Sequence, residues 1–402
     1  MPLRILQLCT RIPFPPQDGG TIAMYNLAKS LADCGCTVKI LAFNTKKHFI
    51  AGDKIDDNFR KEFNLTSVYL DASIKASDAF LNLFSSESYN IRRFISEEFK
   101  QQLIIILRDY EFDIIQMESL FMAPYLETVR HHSKAKIVLR AHNVEHVIWE
   151  RLHLEEKNIF KKWYLKLLTQ RLHLYEKEML NKFDALLPLT PDDEKVFNQL
   201  GAKVAVNITP IGVDVQSYKS EIINEQQPFS IFHLGSMDWL PNIEAVDWFL
   251  KNVWNDLHRS LPQVQLHLAG KAMPDRIFSQ QNDHLKVYGT IDNARKFMTD
   301  KQIMIVPLLS GSGMRVKILE GLAAGKVIVS TSIGAEGIKY IDGENLFIAD
   351  TPDQFIKVTG KLFSDEQLIK NVSRKAVELA YSEYDNKIIA QRLIAFYKTL
   401  TA

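Results

Sequence analysis

Cysteine is scarce in this chain, with three residues, Cys9, Cys34 and Cys36, among 402. That excludes a disulfide framework, and the Cys34-x-Cys36 pair, without further cysteine or nearby histidine, lacks the ligand count of a zinc site. Net charge is almost absent too. Lys plus Arg is 49 and Asp plus Glu is 48, a formal balance of +1, which excludes the global positive footprint of a nucleic-acid binder. Long hydrophobic runs are missing: Leu103–Leu107 and Ile303–Leu309 fall well short of the ~20 apolar residues that span a bilayer. The opening segment lacks the charged, apolar, small-residue order of a signal peptide, so a reducing, cytoplasmic location is expected. The composition that remains, 46% apolar and 24% charged, is that of a folded globular chain, long enough for two or three domains.

The apolar runs alternate with helical periodicity. Leu3–Cys9 reads as a strand, Gly19-Gly20 as a turn after a Pro-rich loop, Ala23–Leu31 as a helix and Val38–Phe43 as a second strand. Further strands are expected at Phe112–Gln116, Ile137–Ala141 and Ala185–Leu189, with a helix from near Asp192. A second series follows a Pro/Gly-containing joint near residues 207–218. It comprises strands Ser230–Leu234, Gln265–Ala269, Leu285–Tyr288, Ile303–Pro307, Val327–Ser330 and Asn345–Ile348, with helices Ala245–Leu257 and Val316–Ala324. Continuous apolar strands separated by helices imply parallel sheets covered on both faces. The expected fold class is therefore α/β with two doubly wound domains, 1–208 and 209–382, and a C-terminal amphipathic helix at about 383–402 crossing back onto the first.

In such sheets ligands bind beyond the carboxyl ends of strands. Three glycine turns stand there. Gly19 and Gly20 precede a helix, where open N–H groups and the helix dipole favour an anion, although a plain tight turn reads equally from a single glycine pair. Gly235 and Ser236 follow the first strand of the second domain. Gly311, Ser312, Gly313 and Met314 lead into a helix carrying Arg315, Lys317 and Glu320. Two cations at a helix N-terminus oppose the macrodipole, and a diphosphate that neutralises them is the natural explanation. Glu320 would accept from sugar hydroxyls or pair with those cations. The run Gly321–Val327 is not a phosphate-binding P-loop, because it has three residues between its glycines and Val where Ser or Thr is needed. In the first domain His142, Glu145 and His146 lie just past a strand, with His142 the best placed. No third zinc ligand accompanies the two histidines, so no metal is expected. Residues 147–182 are helical and rich in Lys, Arg, Trp and Leu, including Lys161-Lys162-Trp163-Tyr164. That pattern suits a membrane surface, but interleaved glutamates favour a solvated face on a helical pair.

With these motifs in order, the sequence resembles the retaining glycosyltransferases of family 4, which have the GT-B fold: two Rossmann-like domains facing a central cleft. The resemblance rests on Pro13-Phe-Pro-Pro-x-x-Gly19-Gly20, Arg140-Ala-His142-Asn-Val-Glu-His146, Thr209-Pro-Ile-Gly-Val-Asp214, Gly235-Ser-Met-Asp-Trp-x-Pro-Asn242, and Gly311-Ser-Gly-Met-Arg-Val-Lys-Ile-Leu-Glu320 followed by Ser330-Thr-x-x-Gly-Ala-Glu-Gly337. It implies a UDP- or GDP-sugar donor on the second domain, a glycan or lipid-linked acceptor, and no obligatory metal, nucleic acid or further cofactor. Contact with the inner face of a membrane is an open partner. Glu320 matches the second glutamate of the family's E-x7-E motif, and Ser312 stands where the first would be. The loop after Gly235 lacks the family's usual basic residue, which leaves Arg315 and Lys317 as replacements. Tyr288-Gly289-Thr290 matches the loop whose backbone reads the base, His142 the histidine near the donor sugar, and Gly19-Gly20 the phosphate-facing loop. Two alternatives stay open: a GT-B sugar-nucleotide epimerase, and a non-catalytic partner subunit, suggested by Ser312.

Overall fold

The structure is a computed structural model and describes residues 2–75, 78, 81–219, 226–311 and 313–402. Its contacts divide the chain into two units, Met1–Ile211 with Ile389–Ala402, and Gly212–Ile388. The boundaries expected at 208/209 and 382/383 compare with 211/212 and 388/389.

The first unit holds a parallel sheet of strands β1 (Arg4–Cys9), β2 (Thr37–Thr45), β3 (Thr66–Leu70), β4 (Ile114–Glu118), β5 (Lys136–Ala141), β6 (Ala185–Pro188) and β7 (Ala205–Val206), ordered β3-β2-β1-β4-β5-β6-β7. Every residue of β6 is buried. Such a strand has no polar face to alternate, which is why Ala185–Pro188 reads as an unbroken apolar run. One sheet face, carrying Phe43 and Leu139, packs on Phe99 and Leu103 of helix Glu97–Asp109, and the other on Met24, Leu27 and Leu31 of helix Gly19–Asp33. Helix Asn386–Thr401 joins this second face through Ile389, Ala390, Leu393 and Tyr397.

The second unit repeats the plan with β8 (Gln227–Leu234), β9 (Gln265–Ala269), β10 (Leu285–Gly289), β11 (Lys301–Val306), β12 (Val327–Ser330) and β13 (Phe347–Ile348), all parallel, ordered β10-β9-β8-β11-β12-β13. The helix expected at Ala245–Leu257 starts earlier, at Leu240, with Pro241 in its first turn, and passes through a π-helical turn at Leu250–Trp254. The order reverses between β1 and β4 in one unit and between β8 and β11 in the other. These switch points are where doubly wound sheets open a crevice for ligands.

Backbone packing at the second switch point is tight. Gly270 has φ +152, and a Cβ there would lie 1.8 Å from the Gly235 carbonyl oxygen. Gly270→Ala is expected to destabilise the second unit by about 2 kcal/mol or more, through backbone strain and the displaced β8 end; urea unfolding of the variant checks it.

Candidate functional site

At the carboxyl end of β8 the chain turns through Gly235 and Ser236 into helix Leu240–Phe249. A Cβ on Gly235 would lie 2.8 Å from Asn242 Nδ2 and 2.9 Å from Lys317 Nζ. Only hydrogen therefore fits between the strand end and those two groups. Lys317 Nζ donates to Asn242 Oδ1 at 2.8 Å, and Asn242 Nδ2 donates to the Ser236 carbonyl at 2.7 Å. The Gly235–Asn242 motif and the Gly311–Glu320 motif, separate in sequence, thus meet at Lys317. A methyl group at Gly235 would push this amine aside.

Beyond β11, Gly311 and Gly313 adopt φ +106 and +82, a conformation open to glycine at little cost. Ser312 lies outside the described residues. Arg315 is the N-cap of helix Val316–Ala323 rather than a residue of its first turn. Its guanidinium is buried, donates to the Gly313 carbonyl and lies 5.4 Å from the Trp239 ring centre. A Cβ on Gly311 would meet Arg315 Nη2 at 3.0 Å and Trp239 at 3.1 Å, so this loop passes close over both. Met314 is buried beneath it. Burial, with Arg315 as a second cause, lowers the Lys317 pKa to about 7. The amine is therefore poised between charged and neutral, and an arriving anion would recharge it. His233, buried on β8 two residues before Gly235, is kept neutral by burial and by Lys317 and has Nδ1 3.1 Å from the Ile305 carbonyl. Sequence reasoning did not single it out.

Glu320 hydrogen-bonds Tyr218, and Arg295, stacked 4.4 Å over the Tyr218 ring, supplies a favourable charge, although burial dominates and raises the Glu320 pKa. Tyr218, Asn293, Arg295, Met298 and Glu320 line a cavity of 360 Å³. Tyr288 contacts the His267 Nδ1 through its hydroxyl at 2.9 Å, and Gly289, at φ +63, gives its carbonyl to the Gly270 amide at 2.7 Å. Lys326, in the run that mimics a P-loop, is buried and donates to the Thr299 and Lys301 carbonyls at 2.9 and 2.7 Å, a structural use.

In the first unit the Gly19-Gly20 turn is not an open anion site. Gly19 already begins the helix, and the Asp18 side chain caps it by accepting from the Gly20 and Thr21 amides at 3.0 and 3.1 Å. Asp18 in turn pairs with Arg11, whose guanidinium lies 2.7 Å from a Cβ placed on Gly20. The chain supplies its own anion to these amides. The readable signal was Asp18 itself, an N-cap residue with Thr21 three positions on.

His142, Glu145 and His146 diverge. His142 Nε2 bonds Glu118 Oε2 at the end of β4, whereas His146 Nδ1 bonds Glu176 at 2.7 Å and Glu145 is buried against Ser119. Burial, then the charge of Glu176, raises the Glu145 pKa to about 8, so it is a neutral packing group at pH 7. Glu118 is the residue that sequence reasoning missed. It is fully buried at the switch point and accepts from Gln7, Gln116 and, at 3.4 Å, Arg140. Burial alone would raise its pKa, yet Arg140 and His142 outweigh that and hold it below the ordinary glutamate range. Arg140 also donates to the Ala23 carbonyl at 2.8 Å, and Tyr397 from the C-terminal helix donates to Gln116. His142 therefore stands on an ionised, buried platform built from five elements. Among the described residues no group of three or more His, Cys, Asp or Glu side chains could hold a metal ion.

Residues 228–365 match the family model for glycosyl transferases group 1. That match lies wholly within the second unit. Over 397 residues, 96% of this chain and 97% of that protein, the chain is 24% identical to an "uncharacterized 44.6 kDa protein in cps region" of Klebsiella pneumoniae. It is 25% identical over 202 residues, 48% of this chain and 51% of that protein, to the phosphatidyl-myo-inositol mannosyltransferase of Mycolicibacterium smegmatis. Among solved structures, Anabaena Alr3699/HepE in complex with UDP superposes with a TM-score of 0.67 at 14% identity, covering 99% of this chain and 100% of that one. The sucrose-phosphate synthase of Thermosynechococcus elongatus gives 0.69 at 14% identity over 99% of both chains. The fold is GT-B.

Proposed function

We propose that this chain is a retaining glycosyltransferase that moves a sugar from UDP- or GDP-sugar to a glycan or lipid-linked acceptor in bacterial glycoconjugate synthesis. The observation that carries this is the meeting of Lys317, Asn242 and Gly235 at the switch point of the second sheet, beside Arg315 and the Gly311–Gly313 turn. A structural helix gains nothing from a desolvated amine there, whereas a diphosphate gains a cation whose charge it restores. The group 1 family match and the likeness to a UDP-bound enzyme support the donor class, and the cps-region and mannosyltransferase relatives support the product class.

In this reading the bond between the anomeric carbon and the β-phosphate oxygen breaks, and the phosphate departs with the electron pair. The acceptor hydroxyl bonds the anomeric carbon on the same face, and its proton passes to the departing phosphate. Charge grows on the phosphate as an oxocarbenium-like centre forms. Cations fixed beforehand stabilise that state more than the bound donor and so lower the barrier. Glu320, in its cavity with Tyr218, is assigned to the ribose hydroxyls, the Tyr288–Thr290 backbone to the base, and His142, held by Glu118, to the donor sugar.

Because Lys317 titrates near 7 when unliganded, donor binding should take up a proton above that pH. Affinity for UDP-sugar is expected to be level below pH 7 and to fall by up to about tenfold per pH unit above it. Calorimetry in two buffers of different ionisation heat measures the uptake directly. The reaction itself is tested by following nucleotide release from UDP- and GDP-sugars with and without lipid-linked acceptor. Acceptor-dependent release with retained anomeric configuration is expected. Free sugar released without acceptor would favour an epimerase, and binding without release a partner subunit.

A further inference from the structure

The first unit carries a helical pair, Glu145–Glu155 and Ile159–Met179, joined by residues 156–158. The arms are tied at the turn, where His153 Nδ1 lies 2.9 Å from the Lys162 carbonyl and Lys162 Nζ donates to the Leu154 carbonyl at 3.3 Å. Sequence patterning favoured a solvated face on a helical pair. The pair is present, but the exposed side chains at its turn are largely apolar. Ile159 is 80% exposed, Phe160 84%, Leu154 64% and Trp163 60%, all at this turn. At a rise of about 1.5 Å per residue, Ile159 to Trp163 span only about 6 Å of helix, so the apolar side chains form one compact tip rather than scattered surface residues. Isolated exposed apolar residues are ordinary, but a cluster of this kind marks a contact surface.

The charge around the tip says what it contacts. From Lys157 to Lys166 the chain has four lysines, Lys157, Lys161, Lys162 and Lys166, and no acidic residue, against a balance of +1 for the whole chain. Facing them are Glu155 at the end of the first arm and Glu156 in the joint, which accepts from the Asn158 amide at 2.8 Å. Large apolar and aromatic side chains ringed by lysines are the pattern of segments that enter the headgroup layer of an anionic membrane, with the rings at the interface and the amines on the lipid phosphates. No helix among the described residues is long and apolar enough to cross a membrane, so any lipid contact is made from one side.

We propose that the hairpin tip between Leu152 and Trp163 docks this protein on an anionic lipid surface. The inference does not depend on the donor chemistry, and its test uses no donor. The full chain is mixed with phosphatidylcholine vesicles, with and without about 30% phosphatidylglycerol, and partitioning is measured by flotation. Binding to the anionic vesicles at least about tenfold tighter than to neutral ones, weakened by salt, is expected. Phe160→Ser/Trp163→Ser should lower that binding about tenfold or more, and Lys157→Glu/Lys161→Glu should abolish the preference for anionic lipid. Both variants should keep the wild-type melting curve, since all four side chains are at the tip. Equal or absent wild-type binding to the two vesicle types would overturn the proposal, as would undiminished binding by Phe160→Ser/Trp163→Ser. Concentration-dependent dimerisation lost in that variant would overturn it in favour of a contact between copies.

Discussion

Replacing Lys317 with methionine is expected to reduce sugar transfer about 10²- to 10³-fold, the usual loss when one preorganised charge-stabilising group is removed, while the melting temperature at pH 7 stays level or rises. The two halves of this result come from the same fact. Burial and Arg315 bring the Lys317 pKa down to about 7 in the folded chain, whereas in the unfolded chain it is that of a free lysine. Between those values the unfolded state binds more protons, so this group's contribution to stability increases with pH. Its destabilising effect is full below pH 7 and vanishes above the unfolded pKa. Methionine fills the same space without a charge to desolvate and so removes that cost. A structural lysine would behave the other way, with its loss lowering the melting temperature and leaving turnover alone. Measuring both quantities on one preparation separates the cases, and a variant with wild-type turnover would sink the role assigned to Lys317.

Glu118→Ala is expected to have the largest effect on stability, a loss of about 3–5 kcal/mol, because it strands the buried Arg140 guanidinium beside an empty carboxylate site. For a unit of this size that corresponds to a fall in melting temperature on the order of 10 °C. Gln7 and Gln116 donate to the same carboxylate, and Tyr397 reaches it through Gln116, so the C-terminal helix should loosen with it. Transfer should be lost as His142 loses its anchor, whereas UDP or GDP should still bind, because the groups assigned to the nucleotide are all in the second unit. Glu118→Gln keeps the shape and lacks the charge, and should fall between the two. A melting temperature unchanged in the alanine variant would contradict the buried platform.

These two residues also show what could and could not be read beforehand. The central strands were legible because burial on both faces leaves an unbroken apolar run, as in Ile303–Val306 and Val327–Val329. β3 was not, since among Thr66–Leu70 only Val68 is buried and an edge strand need not be apolar. β7, two residues long, left no pattern at all. Lys317 was legible because two cations at a helix start contradict a local rule, although its lowered pKa needed three dimensions. Glu118 was not, because a carboxylate at a strand end looks the same whether it faces water or Arg140. The anion site expected at Gly19 and Gly20 failed for a local reason, the Asp18 cap. The hairpin tip misled because alternating charge says nothing about which apolar side chains a neighbour covers.

The central claim, that a nucleoside diphosphate sits against Lys317 and Arg315 at the end of β8, is tested most directly by thermal shift with UDP and GDP on the wild type and on Lys317→Met. At about 100 times its Kd, the correct nucleotide should stabilise the wild type by about 2.7 kcal/mol, and the same concentration should leave the variant's melting curve almost unmoved. Equal stabilisation of both proteins, or none of either by any nucleoside diphosphate, would contradict the account.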